Sequence, residues 1–339
     1  MKTRNLLNNL FRLICLTVLT TAACPQIVMA DELKPLSITL EEYGYPYPVN
    51  YLPLMAEGQD FRMAYMDVQP VAGGNGKTVL LLHGKNFSGV YWKDTITILV
   101  SNGYRVVVPD QIGFGKSSKP NLHYSFHSLA ANTKKLLDKL NVKEVTVVGH
   151  SMGGMLATRF ALLYPETASR LVLENPIGLE DYRQFVPYVS VDDQYQSELK
   201  VTAESIRNYH KTYFVNWLPE YGEYAELAVR QRLGGEYPRL AMSSALTYEM
   251  IYEQPVRHEF HNIRAKTLLV IGQADRTVVG KARVKKNLLS QVGQYPELGR
   301  RTSKLIPGAK LLEIANIGHI PHMELKGTFH EALLNFIKE

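Results

Sequence analysis

The stretch VVGHSMGGM, residues 147–155, joins an apolar run to a glycine-rich turn around a single serine. The pattern G-x-S-x-G is typical of a nucleophilic serine at a sharp turn between a strand and a helix. Side chains two residues before and after the serine would collide in such a turn, so Gly149 and Gly153 fit it. The pattern predicts that Ser151 is a nucleophile. The alternative is a glycine-rich turn that carries no chemistry.

Similar apolar runs recur along the chain and alternate with amphipathic segments. The strand-like runs are TVLLLHG (78–84), YRVVVPD (104–110), VTVVGH (145–150), RLVLEN (170–175) and TLLVIG (267–272). Helical patterns occupy 91–101, 125–140, 152–164, 281–291 and 329–339. This alternation predicts the α/β class, as a three-layer αβα sandwich around a mostly parallel sheet of about eight strands. RMAYMDVQP (62–70) alternates with period two and predicts an earlier, antiparallel strand.

The alternation stops between Pro176 and Lys266, where no buried strand is recognisable. This interval is polar and helical in pattern, and it holds ten of the 20 tyrosines of the chain. An insertion of this length is more typical of a small domain than of a loop. We therefore expect a helical cap over 177–265, inserted after the sixth strand, on an α/β core formed by 31–176 and 266–339.

The first 30 residues differ in character from the rest of the chain. All charges within 1–30 are positive, and the apolar run LICLTVLTTAA (13–23) is too short to span a bilayer. Small residues follow, so the segment predicts a secretory signal peptide cleaved after Ala30 and a periplasmic or secreted protein. A lipid anchor at Cys24 and a buried N-terminal helix are the alternatives.

Removal of this segment lowers the formal net charge from +6 to +3, because three basic residues and no acidic ones are lost. The low charge and the lack of basic clusters with interleaved aromatic residues argue against a nucleic-acid partner. Cys15 and Cys24 both lie in the segment, so the mature chain is expected to have no disulfide and no cysteine metal site. GNGKT (74–78) and GFGKS (113–117) lack the first glycine of a phosphate-binding loop.

Two residues complete the chemistry that Ser151 needs. A serine hydroxyl requires a base, and the base requires an orienting group. Asp275 follows the strand-like run 267–272, and His319 follows another apolar run, so both are expected at the carboxyl edge of the sheet, in the order Ser, Asp, His. Glu174 is an alternative acid. His322 is an alternative base.

A developing oxyanion also needs hydrogen-bond donors. The backbone N–H of Met152, directly after the serine, is one candidate, and the backbone N–H of Lys85, after the HG of 83–84, is the second. The sequence leaves open where the ammonium group of Lys85 points. Asn86 and Phe87 are candidate substrate contacts. This chemistry requires no cofactor and no metal ion.

Taken together, these motifs resemble the α/β-hydrolase superfamily, in the branch of serine hydrolases with a helical cap. The resemblance covers essentially 40–339 and rests on HG (83–84), PDQIGFGKS (109–117), GHSMGG (149–154), the Asp275 loop and GHIPHME (318–324). Relatives that dehalogenate or open epoxides carry aspartate at the nucleophile position, where this chain has serine. Meta-cleavage-product hydrolases keep all three residues, but their usual glycine-rich stretch after HG is replaced here.

The sequence therefore predicts a serine hydrolase with a Ser-His-Asp triad that acts on carboxylic esters of small, partly apolar molecules. Hydrolysis of a carbon–carbon bond next to a ketone, removal of an N-terminal amino acid, and slow-turnover ligand binding as a receptor are the alternatives. The segment 177–265 is expected to decide the substrate.

Overall fold

The computed structural model describes residues 33–339, and residues 34–339 form one compact unit built on a single sheet. Its eight strands are β1 (Val49–Ala56), β2 (Gln59–Val68), β3 (Thr78–Leu82), β4 (Arg105–Pro109), β5 (Val145–His150), β6 (Ala168–Glu174), β7 (Lys266–Gly272) and β8 (Lys310–Ile314). They lie in the order β1-β2-β4-β3-β5-β6-β7-β8. The pairs β1–β2 and β2–β4 are antiparallel, and all other neighbouring pairs, from β4–β3 to β7–β8, are parallel. The predicted α/β class and mostly parallel eight-stranded sheet are confirmed.

Ten helices belong to the described part of the chain. They are α1 (Lys93–Ser101), α2 (Phe126–Lys139), α3 (Met152–Leu163), α4 (Val191–Leu199), α5 (Ala203–Lys211), α6 (Gly222–Arg232), α7 (Tyr237–Glu253), α8 (Tyr295–Leu305), α9 (Pro321–Glu324) and α10 (Lys326–Lys338).

The sheet has a hydrophobic core on each face, because successive residues of a strand point to opposite sides. Leu80 and Leu82 of β3 join the core that contains residues of α2 and α3. Val79 and Leu81 join the core that contains residues of α1 and α10. The result is the predicted arrangement of three layers, with a sheet between two layers of helices.

The connection between β6 and β7 contains four α-helices, α4 to α7, and no strand. Ser190 and Thr202 cap the first two of these helices by accepting hydrogen bonds from backbone N–H groups of the first turn. The connection is thus helical, as expected of a cap, while the exact domain boundaries 31–176, 177–265 and 266–339 stay predictions.

One predicted helix, 281–291, is wrong. Val284, Leu288 and Val292 have a helical spacing, but Gly280 takes a left-handed conformation and Val284 is extended. The chain therefore forms only short 3₁₀ turns there, and the helix α8 begins later.

The predicted signal peptide, its cleavage site after Ala30 and the alternative lipid anchor at Cys24 lie outside the described residues. Among residues 33–339, no helix is both long enough and apolar enough to cross a membrane.

Candidate active site

Ser151 occupies the turn between β5 and α3 in a strained backbone conformation. Its φ is 55° and its ψ is −120°, a region that residues with a side chain rarely adopt. A serine before a helix usually accepts a hydrogen bond from the first turn, but the Ser151 side chain does not cap α3. The strain and the missing cap argue against a purely structural turn.

The glycines around Ser151 are required by close backbone contacts. A Cβ at Gly149 would collide with the carbonyl of Gly153 and lie 2.7 Å from the Cβ of Ala157. A Cβ at Gly153 would collide with the carbonyl of Leu82, at the end of β3. These contacts place the first turn of α3 directly against the end of β3.

The loop after β3 reaches the serine. A Cβ at Gly84 would lie 3.2 Å from the Cβ of Ser151, so the loop backbone packs against the nucleophile candidate. Lys85 is the next residue. Within residues 33–339, neither its backbone N–H nor that of Met152 donates a hydrogen bond. Both N–H groups therefore remain available to an oxyanion beside Ser151.

Asp275 and His319 form a buried pair. The Nδ1 of His319 lies 2.6 Å from the Oδ2 of Asp275, and both side chains are almost fully buried. Thr277 donates its backbone N–H to the other carboxylate oxygen at 2.8 Å. Burial by itself would raise the pKa of Asp275, but the neighbouring imidazole and the hydrogen bonds to the carboxylate outweigh it, so this pKa is lowered.

Asn175 supports this pair, although no sequence motif pointed to it. Its Nδ2 donates to Asp275 Oδ2 at 2.9 Å, and its Oδ1 accepts from the backbone N–H of Gly272 at 2.9 Å. Asn175 directly follows β6 and has a positive φ of 35°. The signal available in the sequence was an asparagine at the end of the strand-like run 170–175. Nothing in the sequence indicated that Asp275 would be its partner.

The connection between β6 and β7, residues 175–265, also contacts His319, and we call it the cap connection. The carbonyl of Tyr213 accepts the His319 N–H at 2.7 Å, and the two rings are stacked with centroids 5.1 Å apart. A Cβ at Gly318 would collide with the same carbonyl. The position of the His319 loop thus depends on the segment between β6 and β7.

His150, next to the serine, ties three parts of the site together. It is fully buried, and its Nε2 donates to the carbonyl of His319 at 2.9 Å. Its Nδ1 therefore accepts from the hydroxyl of Tyr91 at 3.0 Å, and that hydroxyl accepts from the N–H of Gly84. Burial lowers the pKa of His150 well below the usual range, so the ring is neutral in this network.

The alternative acid and base, Glu174 and His322, bond to each other. The Nδ1 of His322 lies 3.0 Å from both Glu174 oxygens, and the His322 N–H donates to Oε1 at 2.6 Å. The His322 ring stacks on Trp92 with centroids 4.1 Å apart, and its Nε2 is buried without a hydrogen-bond partner among the described residues. The two alternative residues thus form a pair of their own, separate from the pair of Asp275 and His319.

The side chains that follow Gly84 are directed mainly at the cap connection. The Nζ of Lys85 donates to the Oγ of Ser244 on α7, and the Nδ2 of Asn86 donates to the hydroxyl of Tyr213, both at 2.7 Å. Phe87 is buried and stacks on Tyr91 with centroids 4.7 Å apart. Packing therefore accounts for the Phe87 ring, and its substrate contact stays a prediction.

A surface cavity of about 960 Å³ lies elsewhere, beside the ion pair of Arg159 and Glu259. None of the candidate site residues lines this cavity, so it does not define the site. Within residues 33–339, no cluster of three or more histidine, cysteine, aspartate or glutamate side chains could hold a metal ion.

The chain matches the family model described as alpha/beta hydrolase fold over residues 77–324. This match covers well over half of the sequence, so the protein belongs to the α/β-hydrolase family. The predicted resemblance is therefore confirmed.

Individual relatives agree with this placement. A crystal structure of a probable hydrolytic enzyme from Pseudomonas aeruginosa PAO1 is 46% identical, with a TM-score of 0.88, and the match covers 89% of this chain and 98% of that one. The 2-hydroxy-6-oxo-2,4-heptadienoate hydrolase of Pseudomonas putida is 28% identical over 67% of this chain and 82% of its own length. An esterase from Exiguobacterium antarcticum shares the fold, with a TM-score of 0.65 at 20% identity, over 82% of this chain and 96% of its own. The chain spans 31% of the length of mycobacterial relatives that it matches at 36% identity.

Proposed function

We propose that the protein is a serine hydrolase, with Ser151 as nucleophile, His319 as general base and Asp275 as the group that orients the base. The observation that carries the proposal is the buried pair of Asp275 and His319, with Nδ1 and Oδ2 2.6 Å apart. The loop that carries His319 is hydrogen-bonded to His150, the neighbour of the strained serine. A serine whose base is oriented by an acid is the arrangement that serine nucleophiles use.

Each step of the proposed reaction has a residue to perform it. His319 Nε2 takes the proton of Ser151 Oγ as that oxygen attacks the substrate carbonyl carbon. The N–H groups of Lys85 and Met152 stabilise the resulting oxyanion. His319 then protonates the leaving group, and water hydrolyses the acyl-enzyme by the same route. Asp275, whose lowered pKa keeps it ionised, stabilises the charged imidazole throughout.

We propose carboxylic esters as the substrates. A nucleophile, a base and two N–H donors suffice for acyl transfer to water, so the proposal needs no further group. Tyr209 and Tyr213 lie with ring centroids 5.3 Å apart, and the Tyr213 ring stacks on His319. Aromatic rings beside the proposed base would suit a small, partly apolar substrate.

Hydrolysis of a carbon–carbon bond next to a ketone is the second candidate. The observation in its favour is the match to the heptadienoate hydrolase of Pseudomonas putida over 82% of that protein. An aminopeptidase and a receptor that binds ligand without rapid turnover are further outcomes of the same test.

The test is a series of p-nitrophenyl esters of increasing acyl length, with Ser151→Ala as the control. We expect turnover that Ser151→Ala abolishes; turnover that survives this substitution would contradict the assignment of the nucleophile. Labelling of Ser151 by a fluorophosphonate without turnover of any ester would favour carbon–carbon or peptide bonds. Absence of both labelling and turnover would favour a receptor.

We also propose that the protein is exported, on the basis of the basic and apolar pattern of residues 1–30. Expression of the full chain in a bacterial host, followed by fractionation and N-terminal sequencing, tests this. We expect periplasmic or secreted protein that begins at Asp31. A lipid-modified Cys24 at the N-terminus would indicate the anchor, and an intact N-terminus in the cytoplasm would contradict export.

A further inference from the structure

The side chain of Lys85 crosses from the core to the cap connection beside the proposed nucleophile. Its backbone follows Gly84, which packs against Ser151. Its Nζ donates to the Oγ of Ser244 at 2.7 Å, and Ser244 lies on α7. We call the loop after β3, which carries the proposed oxyanion donor Lys85, the oxyanion loop. The ammonium group therefore lies where this loop meets the cap connection.

The charge of Lys85 has no close partner of opposite sign. Among the described residues, no carboxylate oxygen lies within 4.0 Å of its Nζ. Glu198 of α4 interacts electrostatically with this ammonium over a longer distance. Its Oε1 already accepts a hydrogen bond from Gln194 at 2.8 Å. Burial lowers the pKa of the ammonium because it weakens hydration of the charged form. An ammonium group has three donors, and Ser244 accepts from one.

The helix α7 extends from this ammonium towards the loop after β7 that carries Asp275, which we call the acid loop. Tyr248 lies one turn after Ser244, on the same face of the helix. Its hydroxyl accepts from Arg283 at 3.1 Å and would lie 2.7 Å from a Cβ at Gly280, five residues after Asp275. The helix thus spans the carboxyl edge of the sheet from the oxyanion loop to the acid loop, and Lys85 lies at one end of this span.

We propose that the Lys85 ammonium binds an anionic group of the substrate, so that the preferred substrates are esters that carry a second, negatively charged group such as a carboxylate. The inference rests on the proposed function and specifies its substrate class. A simple latch that holds the cap would also use the bond to Ser244. A latch, however, has no preference between charged and neutral ligands.

A binding experiment separates the anion site from catalysis. In the Ser151→Ala protein, monomethyl esters of succinate, glutarate and adipate are titrated calorimetrically against methyl esters of the corresponding monoacids, in which a methyl group replaces the carboxylate. We expect the best anionic ester to bind roughly ten- to hundred-fold more tightly than its neutral counterpart. The added substitution Lys85→Met should abolish this difference. Equal binding of the two series, or a preference that survives Lys85→Met, would overturn the inference.

Two control variants separate the anion site from a latch and from a general effect of positive charge. Ser244→Ala removes the latch but keeps the ammonium, so it should retain the anionic preference. Lys211→Met removes one charge from an exposed position of α5 and should also retain it. Loss of the preference in Ser244→Ala to the same extent as in Lys85→Met would favour the latch and overturn the anion site.

Turnover distinguishes failure of this inference from failure of the proposed function. With Ser151 intact, the readout is the ratio of kcat/KM for p-nitrophenyl half-esters of the diacids to that for neutral esters, within each variant. A ratio that falls roughly ten- to hundred-fold in Lys85→Met supports both proposals. An anionic binding preference without any ester turnover keeps the anion site and rejects the esterase.

Discussion

Two buried acid–histidine pairs lie at the carboxyl edge of the sheet, and they differ in the surroundings of the imidazole. In each pair the Nδ1 of the histidine faces a carboxylate, at 2.6 Å for His319 and Asp275 and at 3.0 Å for His322 and Glu174. The other nitrogen of His322 is buried without a partner among the described residues, and its ring is stacked on Trp92. The His319 loop is instead hydrogen-bonded to His150, the residue before the serine. Distance between acid and imidazole alone therefore does not identify a catalytic base.

The supports of the two acids differ in the same way. Asp275 receives the side chain of Asn175 and the backbone N–H of Thr277, which hold the carboxylate in one orientation. Glu174 receives both the backbone N–H and the ring of His322, so it anchors the chain just after the His319 loop. We infer that the Glu174 pair stabilises the loop on which the proposed base lies.

The largest expected effect comes from replacing the two histidines in turn. His319→Gln should lower kcat for esters by about 10⁵-fold or more, because it removes the proposed base. His322→Gln should lower kcat by less than about tenfold and instead lower the free energy of unfolding by roughly 1–3 kcal/mol, because a buried donor to Glu174 is lost. Kinetics and urea unfolding of both variants check this. Equal losses of kcat in two folded variants would contradict the comparison.

The next effect concerns the acids. Asp275→Asn should lower kcat by about 10⁴-fold with little change in KM, because the amide no longer fixes the tautomer and charge of His319. Glu174→Gln should leave kcat within about tenfold of the wild-type value, because its partner performs no proposed chemistry. Steady-state kinetics at neutral pH measure both values. The roles assigned to the two acids would be reversed by a larger loss in Glu174→Gln.

A smaller effect is expected at Asn175, which only the first pair possesses. Asn175→Ala leaves the buried Gly272 N–H without its acceptor and removes a donor to Asp275, so unfolding should require roughly 1–3 kcal/mol less free energy. The kcat should fall by roughly tenfold, and KM should change little, because Asn175 acts through Asp275. Asn175→Asp restores the acceptor but places a second carboxylate beside Asp275. A normal kcat in the alanine variant would exclude a positioning role.

The sheet, and the proximity of Asp275 and His319, could be predicted because local patterns encode them. Continuous apolar runs indicated the buried parallel strands, and the glycines around Ser151 indicated a turn whose crowding the structure explains. Asp275 and His319 were recognisable because each follows an apolar run, and these two runs form the strands β7 and β8. Their pairing at 2.6 Å agrees with that expectation.

The remaining features depend on contacts between residues distant in the chain. Asn175 and Asp275 are 100 positions apart, and nothing local indicates which polar group a buried asparagine will meet. The carbonyl of Tyr213 holds His319 through a backbone hydrogen bond that any residue type could make. The helix expected over 281–291 had the right apolar spacing, but the backbone conformations of Gly280 and Val284 prevent it.

The smallest expected effect is the acid limit of the Asp275 pair. The pKa of Asp275 is lowered in the folded protein, so the unfolded chain binds its proton first as the pH falls. The stabilisation from ionised Asp275 is therefore complete above about pH 5 and is lost as the pH falls below about 4 and through the folded pKa. Urea unfolding of the wild type and of Asp275→Asn at pH 7, 5 and 3 measures it. We expect a smaller difference at pH 3 than at pH 5, and a difference that grows at pH 3 would contradict the assignment of an ionised Asp275.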